Sequence, residues 1–214
     1  KWAMFDLERN LPTTSMAPIV IALTPGQRIN SIALLGLEAN SATVEMTVGG
    51  SVVYSTTTDQ RSRVTLSWFD YFFNAFEYAP TFLQVDLPPY ATGVVTITVE
   101  NGTLPAKISG VVIGNQAYLG RTQYNAVSDA VNFSQIDRDK FGNSVLNPVR
   151  TVPATRQTLE LEKAFVNSVR KVRQDLNAKP ALWSWLDDLT EDGYFDAGLI
   201  YGVYKQFSID ISYP

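Results

Sequence analysis

One segment of the sequence alternates cleanly between apolar and polar residues, and it constrains the fold more than any other feature. The run Ala42–Val48 (ATVEMTV) places an apolar residue at every second position. Successive side chains of a β-strand point to opposite faces, so this pattern predicts a half-buried strand. Gly49-Gly50 follows and predicts a tight turn into Ser51–Thr57 as a hairpin partner. The segment Gly93–Glu100 alternates in the same way and predicts another strand.

Further strands are predicted throughout the first half of the chain. They are short apolar runs bounded by Gly, Pro or Asn: Ile19–Leu23, Ser31–Leu37, Phe82–Leu87 and Lys107–Ile113. Asn101-Gly102 is a strong hairpin signal and predicts that the strand before it pairs with the strand after it. Short strands with turn signals between them predict a jelly-roll-like β-sandwich over residues 1–114.

The composition argues against several classes of function. The chain has 214 residues and contains neither Cys nor His, which excludes disulfides, thiolate metal sites and Ser-His-Asp or Cys-His catalysis. Its net charge of −4 argues against nucleic-acid binding. No apolar run reaches the length of a transmembrane helix, so we expect no membrane insertion. Residues 1–6 lack the apolar region of a signal peptide, which predicts synthesis in a cytoplasm.

The segment Ser67–Tyr78 holds seven aromatic residues in twelve positions, and two interpretations compete for it. An exposed aromatic platform would suit carbohydrate binding, because the apolar faces of sugars pack on flat rings. Alternatively, Trp68, Phe72 and Phe76 form one face of a short helical insert that plugs the sandwich. We favour the plug, since aromatic residues at helical spacing usually belong to a core. Phe69 and Phe73 are then the exposed members.

The stretch from Gly114 to Asn147 keeps neither a helical nor a strand period for long. An irregular connection of this length is uncommon inside a compact domain and favours a functional arm. We therefore predict an extended linker and assembly arm over residues 115–147, ordered only where it lies on a neighbouring copy. Asp137–Gly142 resembles the start of a calcium loop, but Phe141 and Pro148 stand where oxygen ligands are required. A solvated turn is the prediction there.

Residues 148–214 predict a small β-α-β-β domain of the α+β class. The helix is expected over about 160–178, where an apolar stripe recurs at 3.6-residue spacing: Leu161, Phe165, Val169, Val172 and Leu176. Its other face is basic and is either solvated or directed at an acidic partner subunit. The strands are predicted at Arg150–Leu159, Ala181–Leu186 and Gly198–Ile211. A unit of about 65 residues is marginal alone, so we expect it to pack against the sandwich or a neighbouring chain.

No pattern in the chain predicts an active site. Asp187–Phe195 carries several carboxylates, but an exposed turn would not raise the pKa of one of them, as glycoside hydrolysis requires. Glycine spacing matches neither a dinucleotide-binding nor a phosphate-binding loop. We expect no enzymatic activity, no cofactor and no metal.

A set of short motifs occurs in order along the second half of the chain. They are Ile113-Gly114, Tyr118-Leu119-Gly120, Tyr124, Asn132-Phe133-Ser134, Asp139-Lys140-Phe141-Gly142-Asn143, Pro180-Ala181-Leu182-Trp183 and Gly202-Val203-Tyr204-Lys205-Gln206-Phe207-Ser208-Ile209. In these motifs and in its layout the chain resembles a family of virion proteins from the tail modules of tailed bacteriophages. It departs from the better-known distal tail proteins, in which the lectin-like domain is C-terminal rather than N-terminal.

The resemblance implies a non-enzymatic structural protein at the tail tip, baseplate or tail–fibre junction of a virion. It also implies ring-forming homo-oligomers that contact other tail proteins. The residues expected at inter-subunit contacts are Tyr118, Tyr124, Phe133, Phe141, Arg170 and Arg173. The alternative function is a carbohydrate-binding module that recognises a glycan of the host surface. Its candidate contacts are Trp68, Phe69 and Phe73.

Overall fold

The computed structural model describes residues 3–6, 11–63, 65–124, 126–138, 140–185 and 198–209. These residues are mainly β with a small helical part, which confirms the predicted fold class at that level. The chain divides into two compact units, an N-terminal unit of residues 1–116 and a C-terminal unit of residues 117–214.

The described part of the N-terminal unit contains eleven strands and one α-helix, preceded by a 3-10 turn at Ala3–Phe5. The strands are β1 (Thr13–Ser15), β2 (Ile19–Leu23), β3 (Ser31–Leu35), β4 (Ser41–Val48), β5 (Ser51–Asp59), β6 (Arg61–Ser62), β7 (Glu77–Tyr78), β8 (Thr81–Gln84), β9 (Val94–Glu100), β10 (Ala106–Ile108) and β11 (Gly110–Gly114). Helix α1 (Trp68–Phe73) lies between β6 and β7.

Two sheets share one hydrophobic core in this unit. The larger has the order β2-β9-β4-β5, the smaller has the order β11-β3-β8, and all their neighbouring strands are antiparallel. The alternation of β4 and β9 places Ala42, Val44, Met46, Val95, Ile97 and Val99 in the core, as predicted, whereas Val48 at the end of β4 is only partly buried. The core is completed from the smaller sheet by residues such as Ile32, Leu34 and Phe82.

One predicted hairpin is confirmed and the other is wrong. Gly49 and Gly50 both have positive φ and connect β4 to β5, which pair as expected. Asn101-Gly102, however, does not join paired strands. Both edges of β9 are already occupied by β2 and β4, so the chain leaves that sheet and pairs β10 with β1 and β11 with β3.

The described part of the C-terminal unit contains eight short strands, a 3-10 turn at Lys163–Phe165 and helix α2 (Val166–Asp175). The strands are β12 (Arg121–Thr122), β13 (Val127–Asn132), β14 (Gln135–Arg138), β15 (Ser144–Asn147), β16 (Thr151–Arg156), β17 (Leu159–Glu160), β18 (Ala181–Trp183) and β19 (Ile200–Gly202). They form two-stranded antiparallel pairs: β12 with β17, β13 with β16, β14 with β15 and β18 with β19.

The prediction of an irregular stretch up to Asn147 is wrong, because four strands lie within it. The physical reason is exposure. Every residue of β13, β14 and β15 faces solvent, so no buried face imposes an alternating pattern on the sequence.

The helix is shorter than predicted and begins later. Leu159–Glu160 pairs with Arg121–Thr122, which keeps the chain extended where the helix was expected to start. The α-helix ends at Asp175, and Ala178 has a φ of 56°, so the predicted last turn is not helical. Of the predicted apolar stripe only Val169 is fully buried.

The predicted β-α-β-β arrangement is only partly recovered. Ala181–Trp183 and Ile200–Gly202 form a short hairpin, but the chain from Val203 to Ile209 is not a strand. The three-residue β18 offers no partner for a longer final strand. The strands before the helix pair with β12 and β13, so the helix does not lie within one continuous sheet. The acidic turn at 187–195 and the predicted strand residues 186, 210 and 211 lie outside the described residues.

Candidate functional site

More than half of the large hydrophobic residues that are exposed in the described chain collect in two segments. The first, named here the aromatic loop, comprises residues 65–76 of the N-terminal unit. The second, named here the β-arm, comprises residues 127–138 and 140–156 of the C-terminal unit. Together they hold 15 of 28 such residues: Leu66, Trp68, Phe69, Tyr71, Phe72, Phe73, Phe76, Val127, Val131, Phe133, Ile136, Phe141, Val145, Leu146 and Val149. Exposed apolar clusters of this kind mark interaction surfaces.

The aromatic loop is closed at its base by backbone hydrogen bonds. Strands β6 and β7 pair with Arg61 opposite Tyr78. Immediately beyond them, the N–H of Ala79 donates to the carbonyl of Gln60 at 2.7 Å, and Gln60 is itself buried. The loop therefore leaves the unit through a fixed neck rather than through two independent chain ends.

Helix α1 is capped at both ends. The Ser67 hydroxyl accepts from the backbone N–H of Asp70 at 3.2 Å and donates to the Asp70 carboxylate at 2.8 Å. That carboxylate also accepts from the backbone N–H of Leu66. At the other end the N–H of Asn74 donates to the Asp70 carbonyl at 3.0 Å. These caps satisfy helix-terminal groups and hold a six-residue helix in place.

The rings of the aromatic loop face solvent, so the predicted plug is wrong. The six rings from Trp68 to Phe76 are between 52% and 80% exposed, including Trp68, Phe72 and Phe76, which were expected in the core. The shared core is formed by residues outside this segment, most of them aliphatic. Phe69 and Phe73 are exposed, as both interpretations expected. The prediction that Trp68, Phe69 and Phe73 contact a glycan stays a prediction.

The rings pack against one another rather than against the sheets. Phe69 and Phe73 have centroids 5.0 Å apart, and Tyr71 meets Phe72 edge to face at 5.1 Å. The Arg63 guanidinium lies 4.5 Å from the centroid of Phe76. These contacts order the rings into one apolar surface.

Charged groups beside the aromatic loop are bonded within the segment. Arg61 donates to both oxygens of Asp59, at 3.0 and 2.7 Å, and these hydrogen bonds lower the pKa of Asp59 to about 2. Arg63 donates to the carbonyl of Asn74 at 3.3 Å. Asp70 is bonded in the helix cap, so four charged side chains of this region form hydrogen bonds within the segment. The exposed rings consequently dominate the surface.

The β-arm is one long antiparallel hairpin with a bend. Strands β13 and β16 form its base, and β14 and β15 form its outer half. At the bend the Ser134 hydroxyl donates to the Val149 carbonyl at 3.0 Å and accepts from the Val149 N–H at 2.9 Å. Twelve residues lead from Val127 to Arg138, so the hairpin is at most about 40 Å long at the usual rise per residue.

The outer half of the β-arm exposes apolar side chains on a two-stranded ribbon. Ile136 stands directly opposite Leu146, so their side chains share one face. Phe141 lies in the terminal turn, next to Gly142 with a φ of 85°, and is 88% exposed. Phe133 lies at the bend. Both Phe residues were predicted contacts, whereas Ile136 and Leu146 were not predicted from the sequence.

The remaining predicted contact residues are placed separately in the C-terminal unit. Tyr118 packs edge to face on Phe165 at 5.8 Å, whereas Tyr124 is 98% exposed. Arg170 is exposed on α2, and Arg173 is half-buried and donates to the Phe207 carbonyl at 3.2 Å. Phe133 and Phe141 are thus the only two of the six predicted contacts that share the β-arm.

Each unit has a cleft lined by described residues. A cleft of about 550 Å³ in the N-terminal unit is lined in part by Glu38, Lys107 and Tyr78. Glu38 and Lys107 are joined by an isolated β-bridge, and their side chains form an ion pair at 2.6 Å. Each charge is therefore compensated by the other. A cavity of about 310 Å³ in the C-terminal unit is lined by Arg173, Gln174, Asn177, Tyr204 and Phe207.

Within the described residues, no three acidic side chains are grouped so that they could hold a metal ion. None of the helices in that part of the chain has the length and hydropathy needed to span a bilayer. Comparisons of the chain with protein-family models, with curated proteins and with solved structures found no match.

Proposed function

We propose that this protein is a structural subunit of a bacteriophage tail, located at the tail tip, baseplate or an adaptor. Copies assemble into a ring and bridge neighbouring tail proteins. In this proposal the N-terminal unit is a jelly-roll-like β-sandwich, and the C-terminal unit supplies the main assembly contact. The family resemblance gives the virion context, and the β-arm is the observation that carries the assembly role.

Among the described residues, the β-arm lacks the covering elements that would stabilise it in a monomeric protein. A two-stranded hairpin is marginally stable in water unless a third strand or another element covers a face. All side chains of β14 and β15 are exposed, including the apolar pair Ile136 and Leu146. Covering this ribbon with a neighbouring subunit would remove apolar surface from water and stabilise it.

The small core of the C-terminal unit supports the same proposal. Only Val169, Leu199 and Ile200 are buried hydrophobic residues among its described positions. Independent domains of about 100 residues bury well over half of the surface that their unfolded chains expose. Contacts in an assembly would supply burial that the unit does not provide by itself.

The test is the state of association of the purified protein, measured by size-exclusion chromatography with light scattering. We expect wild type to form a defined oligomer and the double variant Ile136→Lys/Leu146→Lys to be a monomer with an unchanged circular dichroism spectrum. Val203→Lys is the matched control, because Val203 is similarly exposed in the same unit but outside the β-arm. It should associate like wild type.

The virion context is tested separately by detecting the protein in purified particles with a specific antibody. A wild-type protein that stays monomeric at high concentration and is missing from virions would contradict the proposed function.

A further inference from the structure

We infer that the aromatic loop of one copy docks on the β-arm of the next copy in the ring. This inference rests on the proposed function and deepens it, because it names the two surfaces that meet. Both are exposed, apolar and held in place by backbone hydrogen bonds.

The chemistry of the aromatic loop favours an apolar partner over a sugar. Carbohydrate sites combine rings with polar groups placed to bind hydroxyls. Here Asp59, Arg61, Arg63 and Asp70 are all engaged in hydrogen bonds within the segment. Six rings and Leu66 dominate the exposed surface of the loop, so they suit a partner that presents apolar side chains.

The charges of the same segment favour a protein over a lipid bilayer. Segments that dock on bilayers place Lys and Arg beside their apolar side chains. Residues 59–78 contain two arginines and three acidic residues, and the chain as a whole carries a net charge of −4. An anionic lipid surface would repel this region.

The β-arm of a second copy has the matching chemistry. Its outer half presents Ile136, Leu146 and Phe141 on a ribbon whose strands β14 and β15 pair only with each other in the described part of the chain. By sequence, residues 127–156 contain four basic and three acidic residues, the opposite balance from the aromatic loop. In this contact the apolar side chains of the two segments would pack together, and the opposite net charges around them would attract each other.

The exposed rings offer an area on the scale of a protein interface. Six rings that are 52–80% exposed present on the order of 800 Å² if each ring contributes about 200 Å² when fully exposed. A standard interface buries about 800 Å² on each partner.

The geometry of the chain makes this contact head-to-tail. The aromatic loop and the β-arm are different surfaces, and every copy carries one of each. A contact between them is therefore heterologous and generates a ring when the rotation closes. A contact between two aromatic loops would instead be isologous and would stop at a dimer.

The experiment is a complementation assay with two variants, analysed by light scattering. Trp68→Ser/Phe72→Ser removes two of the six rings and leaves the Ser67–Asp70 cap intact, whereas Ile136→Lys/Leu146→Lys disables the β-arm. We expect each variant to be monomeric alone. Mixed in equal amounts, they should form a dimer, because the intact β-arm of the first variant binds the intact loop of the second. Val203→Lys serves again as the control.

Every other outcome overturns the inference and separates it from the proposed function. If the loop variant still assembles like wild type and the β-arm variant does not, the protein is an assembly subunit that uses another partner surface. If only the loop variant is monomeric, two loops meet each other. If the mixture stays monomeric, the two surfaces do not bind. A monomeric wild type would remove the proposed function as well.

A second measurement does not depend on disruptive variants. Phe72 is replaced by a photo-crosslinking phenylalanine analogue in the otherwise wild-type oligomer, and the crosslinked peptides are identified by mass spectrometry. We expect crosslinks from one copy to residues 133–146 of another. Crosslinks confined to other segments, or binding of neutral oligosaccharides on a glycan array that Trp68→Ser abolishes, would overturn the inference.

Discussion

The two units of this chain differ most in how they bury apolar residues. Of the 24 buried hydrophobic residues in the described chain, 21 belong to the N-terminal unit and three to the C-terminal unit. In the N-terminal unit, sheets of three and four strands share one core, whereas each sheet among the described residues of the C-terminal unit has two strands. A sheet of three or more strands with a hydrophobic face can be stable within its own domain, whereas a two-stranded ribbon needs another element to cover it. In the proposed assembly, the first unit is the scaffold and the second is completed by contacts with neighbouring subunits.

The largest expected effect is on the free energy of unfolding when one isoleucine in each unit is replaced by alanine. Ile97 is fully buried in the central strand β9, and Ile136 is exposed on the β-arm. Ile97→Ala should lower the free energy of unfolding by about 4 kcal/mol, through lost burial and a cavity. Ile136→Ala should change it by less than about 0.5 kcal/mol in the monomer. Urea denaturation measures both, and equal effects would remove the contrast between the units.

A second comparison uses glycines with positive φ. A Cβ at Gly36 (φ 61°) would overlap the side chain of Ser109, while a Cβ at Gly142 (φ 85°), in the β-arm turn, would meet open space. Gly142→Ala should cost about 1 kcal/mol from backbone strain alone. Gly36→Ala should cost about 3 kcal/mol, since overpacking adds to that strain. Thermal unfolding checks both, and a smaller cost at Gly36 would contradict the tight packing of the N-terminal unit.

A third comparison lies within the C-terminal unit. Val169 is the one buried residue of α2, and Val203 is exposed in the same unit. Val169→Ala should destabilise the unit by about 2 kcal/mol, because it removes buried methyl groups, whereas Val203→Ala should have little effect. Differential scanning calorimetry provides the measurement. An unchanged Tm for Val169→Ala would mean that even this small core does not stabilise the unit.

The smallest effect concerns pH and the neck of the aromatic loop. Hydrogen bonds from Arg61 hold the pKa of Asp59 at about 2, below the ordinary 3.8. Because the folded-state pKa is depressed, the associated stabilisation is complete above about pH 4 and is lost as the pH falls towards 2. The pair is exposed, so the change in stability is small. In an NMR titration, Arg61→Ala should raise the pKa of Asp59 only part of the way to 3.8, because the backbone N–H of residue 61 still donates to the carboxylate. An unchanged value would exclude the Arg61 side chain as the main cause.

The sequence was most informative where one face of a strand is buried. Ile19–Leu23 is a strand with the predicted ends, and the alternation of β4 and β9 identified their buried residues. The partner of a strand was less predictable, since a hairpin signal at Asn101-Gly102 cannot report that β9 is already paired on both edges. Local chemistry specifies turns, whereas pairing depends on the whole sheet.

The candidate interaction surfaces were harder to predict from the sequence for a related reason. Trp68, Phe72 and Phe76 have the spacing of a helix face, and that spacing is the same whether the face is buried or exposed. On the β-arm, Phe133 and Phe141 were identified as contact residues, but Ile136 and Leu146 lie in strands with two exposed faces and no alternation. The local signal for the turn is Gly142 itself, because glycine readily adopts the positive φ found there.

Hydrogen exchange tests the central claim, that the β-arm is completed only by assembly. Backbone amides should be followed in dilute monomer and in the assembled oligomer. We expect amides of β4 and β9 to be strongly protected in both states. Those of β14 and β15 should exchange rapidly in the monomer and slowly in the oligomer. Strong protection of β14 and β15 in the dilute monomer, equal to that of β9, would show that the β-arm is stable by itself and would contradict this account.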